Sequence, residues 1–353
     1  MKKNVFKLFL FTLFTFLLLY LVDLTAGKYL EKKLIGVSWK NWRTNSEDLS
    51  SLECYYLDEK NGFKPIWGEC SNPNISAYFE SDSEKVLGTS TVKEYKILIL
   101  GDSNTRRGNF DNQLKEKLES KFAGKDLKIN IIKVGIESYN TRQEIELLKS
   151  DLARIKPNFV ILQFTLNDFD FSPVTLKINN KITYFSAQGD RTFEENPFLF
   201  TNSYIYRTLE LYKLVINMQD VPDIKSEEDF GDNETWKKKA ESMRSALADY
   251  KEYLIDENVG GVILLYPLFS EKQRDLESRT IRDLVKEFNL DSIDLLPLTE
   301  PFGGPVAFQN TWGDNLGDDI HPTANFDTIV SDSLSEYLFS IIDFYDRNNQ
   351  TTI

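Results

Sequence analysis

The sequence predicts a three-layer α/β/α protein built on a mostly parallel β-sheet. From about residue 95 to residue 345, short apolar runs of strand length alternate with segments of helical periodicity. The runs are apolar throughout, which is typical of parallel strands covered by helices on both faces. Ligands of such folds bind at the carboxyl ends of the strands, so the residues that follow each run are the first candidates for a site.

The predicted elements follow one another in regular order. The first strand, Tyr95 to Leu100, stops at Gly101, and a helix with Leu114, Leu118 and Phe122 at spacings of four comes next. The later elements are a strand from Leu127 to Val134, a helix near Thr141 to Ile155, a strand from Phe159 to Phe164, a helix near Trp236 to Ile255, a strand from Val262 to Tyr266, a helix near Arg279 to Phe288, a short strand around Ile293 to Leu295, and a closing helix from about Ala324 to Tyr345.

Two segments lie outside this alternation. Residues 28–94 are polar, show no sustained period and are predicted to form an irregular N-terminal extension to the domain of residues 95–345. Residues 169–233 form an insertion that is rich in Phe and Tyr. Its rings suit either a lid or acyl-binding wall over the strand ends, or the core of a small subdomain.

Residues 1–27 read as a membrane anchor or signal segment. Lys2, Lys3 and Lys7 flank an apolar run, so residues 4–22 are predicted to contact a membrane. The segment Leu24-Thr25-Ala26 is a poor cleavage site, which favours an uncleaved anchor over a removed signal; a buried N-terminal helix is the third reading. In the first two cases the rest of the chain lies outside the cytoplasm, at the cell envelope or secreted.

Charge and cysteine content exclude some functions. The 353 residues carry a formal net charge of −13, and the chain has no basic stripe interleaved with aromatic residues, so we expect no nucleic-acid partner. Cys54 and Cys70 are the only cysteines; in an exported protein they predict one disulfide, with two separate buried thiols as the alternative. A metal centre is not expected, because the chain has one histidine and no cysteine cluster.

Ser103 is the candidate nucleophile. It stands in Gly101-Asp102-Ser103, directly after the first strand and at the start of a helix, where helix amides favour developing negative charge. The glycine permits a tight turn that exposes the hydroxyl. A serine at this position also suits a simple helix N-cap, and the tripeptide alone does not decide between the two roles.

The general base that a serine nucleophile requires is predicted to be His321, the only histidine of the chain. It lies in a turn-rich stretch before the last helix. Asp318, three residues earlier, is placed to accept the Nδ1 proton of the imidazole and to orient it. Asn167, after the strand that ends at Phe164, is a candidate oxyanion donor, although Asn-Asp after a strand is also a common turn.

In this order the motifs resemble the SGNH, or GDSL-type, hydrolase superfamily over about Tyr95 to Phe344. The matching blocks are Gly101-Asp102-Ser103, the stretch from Val134 to Thr141, Asn167-Asp168, and Asp318-Asp319-Ile320-His321. The resemblance implies a flavodoxin-like sheet, a Ser103–His321–Asp318 triad, and an oxyanion hole formed by the backbone N–H groups of Ser103 and Ser138 and the side chain of Asn167.

Two positions depart from the family pattern. Ser138 replaces the oxyanion glycine, although Gly135 is present three residues earlier, and a serine backbone can still donate. Thr165 replaces the glycine before Asn167-Asp168 and is expected to add bulk beside the oxyanion site.

The expected function is therefore a serine esterase without a cofactor, acting on an ester substrate such as acyl or acetyl groups of envelope glycans or lipids. Two alternatives remain open: an acyltransferase that uses the same residues to pass the acyl group to a sugar hydroxyl, and a catalytically silent envelope protein. The sequence does not indicate an oligomeric state.

Overall fold

The computed structural model describes residues 2–27, 29, 55–58, 61–65, 93–136, 139–169, 174–178, 181–186, 199, 203–206, 208–209, 234–267, 275–304, 307 and 324–350. The strands are β1 (Tyr55–Asp58), β2 (Gly62–Pro65), β3 (Lys93–Gly101), β4 (Leu127–Gly135), β5 (Phe159–Phe164), β6 (Val174–Ile178), β7 (Lys181–Ser186), β8 (Gly260–Leu265) and β9 (Ser292–Asp294). The α-helices are α1 (Lys2–Val22), α2 (Ser103–Arg107), α3 (Phe110–Lys121), α4 (Thr141–Leu147), α5 (Glu234–Asp256), α6 (Asp275–Glu287) and α7 (Ala324–Gln350).

The chain divides into two compact units. The first consists of Met1–Ile75 and Pro173–Lys225, and the second consists of Ser76–Ser172 and Ser226–Ile353. The second unit contains the five-stranded sheet and every described residue of the candidate site.

The sheet has the strand order β4-β3-β5-β8-β9, and all of its strands are parallel. This confirms the predicted parallel sheet flanked by helices. The chain leaves β3 for β4 on one side and later returns to β5 on the other. At such a reversal the two crossover connections diverge, which leaves a crevice at the carboxyl ends of β3 and β5.

One face of the sheet packs against α3 and α7. The apolar residues of α3 recur at spacings of four and are fully buried against the strands, and those of α7 do the same. The buried residues of this layer include Phe110, Leu114, Leu118, Phe326, Val330, Leu334 and Leu338. Since full burial of such a side chain contributes about 1.5–3 kcal/mol, this layer is a major source of stability.

On the opposite face α5 packs closely against β5 and β8. Tyr250 of α5 is buried, and its hydroxyl donates a hydrogen bond to the Val160 carbonyl of β5 at 3.0 Å. A Cβ atom on Gly261 of β8 would meet Leu254 and the Tyr250 hydroxyl. The glycine therefore allows the helix to approach the sheet.

Two predicted helices differ in detail from the structure. The helix predicted near Thr141 to Ile155 consists of α4, a π-helical turn over Leu148–Leu152 and a 3₁₀ turn over Ala153–Ile155, and it ends at Lys156 with a positive φ of 51°. Likewise, the residues after β3 form two helices, α2 and α3, because the chain is extended at Gly108.

The first unit contains α1 and two antiparallel hairpins, β1–β2 and β6–β7. After α1 a π-helical turn, Asp23–Gly27, places a buried carboxylate against the insertion. Asp23 accepts hydrogen bonds from the Ser203 hydroxyl and from the backbone N–H groups of Tyr204 and Ile205, at 2.8–3.0 Å. Asp23, which follows the apolar run, thus binds residues 203–205 of the insertion.

Within the described part of the chain, no helix combines the length and the apolar character that crossing a membrane requires. The membrane contact of residues 4–22 stays a prediction. Cys54 and Cys70 lie outside the described residues, and their disulfide stays a prediction.

Candidate active site

Ser103 is the first residue of α2, at the carboxyl end of the central strand β3. The N-cap of this helix is Asp102, whose Oδ1 accepts a hydrogen bond from the Asn104 N–H at 2.8 Å. The alternative reading of Ser103 as the helix N-cap is therefore wrong. Its side chain is half-buried, whereas Asp102, Asn104 and Thr105 are buried.

Two glycines allow α2 to lie directly against the sheet. A Cβ atom on Gly135, the last residue of β4, would come within 2.7 Å of Arg106 Cα and 2.9 Å of the Asp102 carbonyl oxygen. A Cβ atom on Gly101 would come within 2.8 Å of Thr105 Cβ. Because such distances are shorter than van der Waals contact, any larger residue at either position would displace the helix that carries Ser103.

Gln163 fixes α2 to the neighbouring strand β5. Its buried Oε1 accepts hydrogen bonds from the Thr105 hydroxyl at 2.7 Å and from the Thr105 backbone N–H at 3.2 Å. Gln163 was not among the predicted site residues. A glutamine within an otherwise apolar strand is the signal that was available, because a buried amide requires a polar partner.

Thr165 joins the turn of Ser103 to the turn of Asn167. Its hydroxyl oxygen lies 3.1 Å from Asp102 Oδ2 and 3.3 Å from Asp168 Oδ2, and its backbone N–H donates to Asp168 Oδ2 at 2.6 Å. Thr165 was expected to add bulk beside the oxyanion site. That expectation stays a prediction; the structure shows in addition that the Thr165 hydroxyl lies between two buried carboxyl groups and links them.

The other predicted site residues are only partly described. Asn167 lies in a 3₁₀ turn, Leu166–Phe169, at the carboxyl end of β5, and its side chain is not described. Ser138, Asp318 and His321 lie outside the described residues. The structure therefore brings the turns of Ser103 and Asn167 together, and the roles of the remaining residues stay predictions.

The start of α7, three residues after His321, is attached to the segment that follows α2. Asp327 in the first turn of α7 accepts a hydrogen bond from the Asn109 N–H at 2.7 Å. Lys133 of β4 binds the same segment: its ammonium group donates to the Gly108 carbonyl at 2.6 Å and to Asp111 at 2.8 Å. These contacts tie the helix that follows the predicted base to the helix that bears the predicted nucleophile.

Burial raises the pKa of Asp327 to about 6, against the lowering effects of the Asn109 N–H and of Lys133. Its Oδ1 has no hydrogen-bond partner among the described residues, and neither has the buried hydroxyl of Tyr266. Burial, and then the charge of Asp327, raises the pKa of Tyr266 well above its ordinary value. Asp327 thus carries a negative charge at neutral pH that its surroundings only partly compensate.

We expect Asp327→Asn to remove a pH dependence of stability near pH 6. A folded-state pKa raised above the unfolded value means that stability is fully present below about pH 4 and is lost as the pH rises through about 6. The shift corresponds to about 2–3 kcal/mol. Urea unfolding at pH 4.5 and pH 7.5 would show the variant to be more stable than the wild type at the higher pH only; an equal difference at both pH values would contradict this.

Among the described residues, no group of three or more His, Cys, Asp or Glu side chains is arranged to hold a metal ion. The described chemistry of the site consists of a half-buried serine at the head of a helix, buried carboxyl groups beneath it and the Asn167 turn beside it. Such a site is suited to nucleophilic chemistry at a carbonyl group.

Comparison with known proteins gives structural matches only. No family model and no curated sequence matches the chain. The structural matches include a two-domain esterase active on acetylated mannans, with a TM-score of 0.40, 12% identity and coverage of 71% of this chain and 50% of that chain. An acetyl xylan esterase has a TM-score of 0.39 and 15% identity, with 69% of this chain and 99% of that chain covered.

A third match is a catalytic mutant of an acetylxylan esterase from Geobacillus stearothermophilus, with a TM-score of 0.38, 14% identity and coverage of 68% of this chain and 92% of that chain. The chain thus spans about half the length of the mannan esterase and nearly all of the two xylan esterases. These three matches each cover about 70% of this chain.

Proposed function

We propose that the protein is a serine esterase that cleaves carboxylic esters with Ser103 as the nucleophile. The observation that carries the proposal is the position of Ser103, at the head of α2 in the crevice between the carboxyl ends of β3 and β5, beside the turn that contains Asn167. Its hydroxyl is half-buried on a turn held by Asp102, Thr105 and Gln163.

In the proposed reaction His321 takes the proton of the Ser103 hydroxyl while Oγ attacks the ester carbonyl carbon. Asp318 accepts the Nδ1 proton of His321 and stabilises the imidazolium. The carbonyl oxygen becomes an oxyanion that the N–H groups of Ser103 and Ser138 and the Asn167 amide bind, each such donor contributing about 3 kcal/mol to the transition state.

Collapse of this intermediate breaks the bond to the alcohol oxygen, which takes the proton from His321 and leaves. Water then attacks the acyl-serine with His321 as the base, which releases the carboxylic acid and restores Ser103. The attachment of the start of α7 to Asn109 supports the closeness of His321 and Ser103 that this cycle requires.

We also propose that the enzyme acts outside the cytoplasm, on acyl or acetyl groups of envelope glycans or lipids. The basic N-terminus followed by an apolar run supports export, because such segments are recognised by secretion machinery. A fusion of the chain to a reporter that folds only after export tests this. An inactive reporter in intact cells, with normal expression, would contradict it.

The reaction type is tested by measuring acetate release from an acetylated oligosaccharide by the full-length protein, with and without a sugar acceptor. We expect turnover without an acceptor, since water is the proposed second substrate. Transfer of acetyl groups to the acceptor with negligible hydrolysis would replace the esterase proposal with the acyltransferase alternative.

A further inference from the structure

Three buried carboxyl groups lie near the Ser103 turn, and each comes from a different element. Asp102 follows β3, Asp168 follows β5 and Glu144 lies on α4; their exposed fractions are 1%, 3% and 2%. We refer to Asp102, Glu144, Asp168 and Thr165 as the carboxyl cluster. Ionising all three carboxyl groups where they are buried from water would cost much free energy. The protonation of this cluster therefore has structural consequences.

A proton on Asp168 would satisfy both side-chain contacts of Thr165. The Thr165 hydroxyl has one hydrogen, yet its oxygen lies within hydrogen-bond distance of a carboxyl oxygen of Asp102 and of Asp168. If the hydroxyl donates to Asp102, the contact with Asp168 is most favourable when the Asp168 carboxyl group is protonated and donates to the Thr165 oxygen. One proton therefore completes the chain from Asp102 through Thr165 to Asp168.

Glu144 requires a proton of its own. Neither carboxyl oxygen of Glu144 has a hydrogen-bond partner among the described residues, and a buried carboxylate without a partner loses several kcal/mol of hydration. Burial, and then the charges of Asp168 and Asp102, raises the pKa of Glu144 well above its ordinary value. Burial and the charge of Asp102 raise the pKa of Asp168 in the same way.

The charged and titratable groups around the carboxyl cluster come from α4, from α5 and from the residue that follows β8. The Tyr266 phenol at the end of β8 is close enough to Asp102 for that charge to raise its pKa. Arg142 of α4 and Lys239 of α5 line a small pocket together with Asp168. Burial, and then the charge of Asp102, raises the pKa of Asp168 against the lowering effect of hydrogen bonds from Thr165 and Thr141.

We propose that the carboxyl cluster is held together by shared protons and that Glu144 and Thr165 are positioning residues, which fix the Ser103 turn against the Asn167 turn. The expected effect of these residues on turnover rests on the proposed esterase function. Their expected effect on stability does not. Removal of a proton at high pH leaves adjacent buried charges, which repel each other and separate the two turns.

The test compares Thr165→Val, which has the same shape without the hydroxyl, with Thr165→Ser, which keeps the hydroxyl. For the full-length protein with nitrophenyl acetate at pH 7, we expect Thr165→Val to lower kcat at least 10-fold with KM little changed, and Thr165→Ser to stay within about 3-fold of the wild type. Equal kcat for the valine variant and the wild type would overturn the positioning role.

A second comparison does not depend on activity. Glu144→Gln removes the buried acid, and Glu146→Gln removes a carboxyl group from the same helix outside the carboxyl cluster. From pH 5 to pH 9, the urea midpoint of the wild type and of Glu146→Gln should fall as Glu144 is forced to ionise, whereas that of Glu144→Gln should fall less. Parallel curves for all three proteins would overturn the shared-proton cluster.

The activity comparison and the unfolding comparison distinguish a failure of the proposed function from a failure of the carboxyl-cluster proposal. If the wild type neither hydrolyses esters nor reacts with a fluorophosphonate at Ser103, the proposed function is wrong, and the unfolding curves still decide whether the cluster holds protons. If Thr165→Val does not fold, the pH profile of kcat for Glu144→Gln replaces it: the loss of activity at high pH should move to higher pH than in the wild type. An unchanged profile would overturn the positioning role.

Discussion

Ser103→Ala is expected to lower the kcat for hydrolysis of a short nitrophenyl ester by about 10⁴-fold or more, with KM nearly unchanged. The alanine removes the oxygen atom that attacks the ester carbonyl in the proposed mechanism. The fold should be preserved, because Asp102 caps α2 and the Thr105–Gln163 hydrogen bond attaches it to β5. Initial rates of purified full-length protein, with near-UV circular dichroism as the check on folding, measure the effect.

Ser120→Ala is the matched control, since Ser120 is exposed on α3 away from the strand ends. It should keep the wild-type rate. A Ser103→Ala variant that retains more than a tenth of the wild-type kcat would remove Ser103 from the mechanism, whatever the fold of the chain.

Gly135→Ala is expected to destabilise the protein by about 3 kcal/mol and to abolish activity at the same time. The added methyl group would collide with the backbone of Arg106 and Asp102, and backbone atoms cannot move aside as a flexible side chain can. The substitution therefore shifts either β4 or α2, and a displaced α2 carries Ser103 with it. Urea unfolding and ester hydrolysis report on the two effects.

Gly124→Ala separates this collision from a general effect of replacing glycine. Gly124 has a φ of 84°, and no atom lies within 4 Å of an added Cβ. Only the backbone preference of glycine is lost there, at a cost of about 1 kcal/mol, and activity should be retained. If both variants lost stability and activity equally, the close approach of α2 to β4 would not be what positions Ser103.

The strands and helices of the second unit could be predicted because their signals are local. The apolar runs of β3, β5 and β8 and the spacing of Leu114 and Leu118 result from burial on one or both faces, which the sequence shows directly. The parallel sheet followed from the same signals. The division of the helix after Asn140 into an α-helix, a π turn and a 3₁₀ turn could not be predicted, because over so few residues all three have nearly the same apolar periodicity.

The polar supports of the candidate site were harder to predict, since each joins residues that are far apart in the chain. Gln163 bonds to Thr105 across 58 residues, and Thr165 bonds to Asp102 across 63. Glu144 resembles a solvated glutamate in the first turn of a helix, and only the fold shows that it is buried. Thr165 departs from the family motif, and the fold gives that departure a role in linking two turns.

Labelling of Ser103 by a fluorophosphonate tests the central claim most directly, because the reagent forms a stable bond only with an activated serine. We predict one adduct per chain in the native full-length protein, located to Ser103 by peptide mass spectrometry and absent after denaturation or in His321→Ala. A native, folded protein that forms no adduct, or an adduct at another serine, would contradict the assignment of Ser103 as the nucleophile.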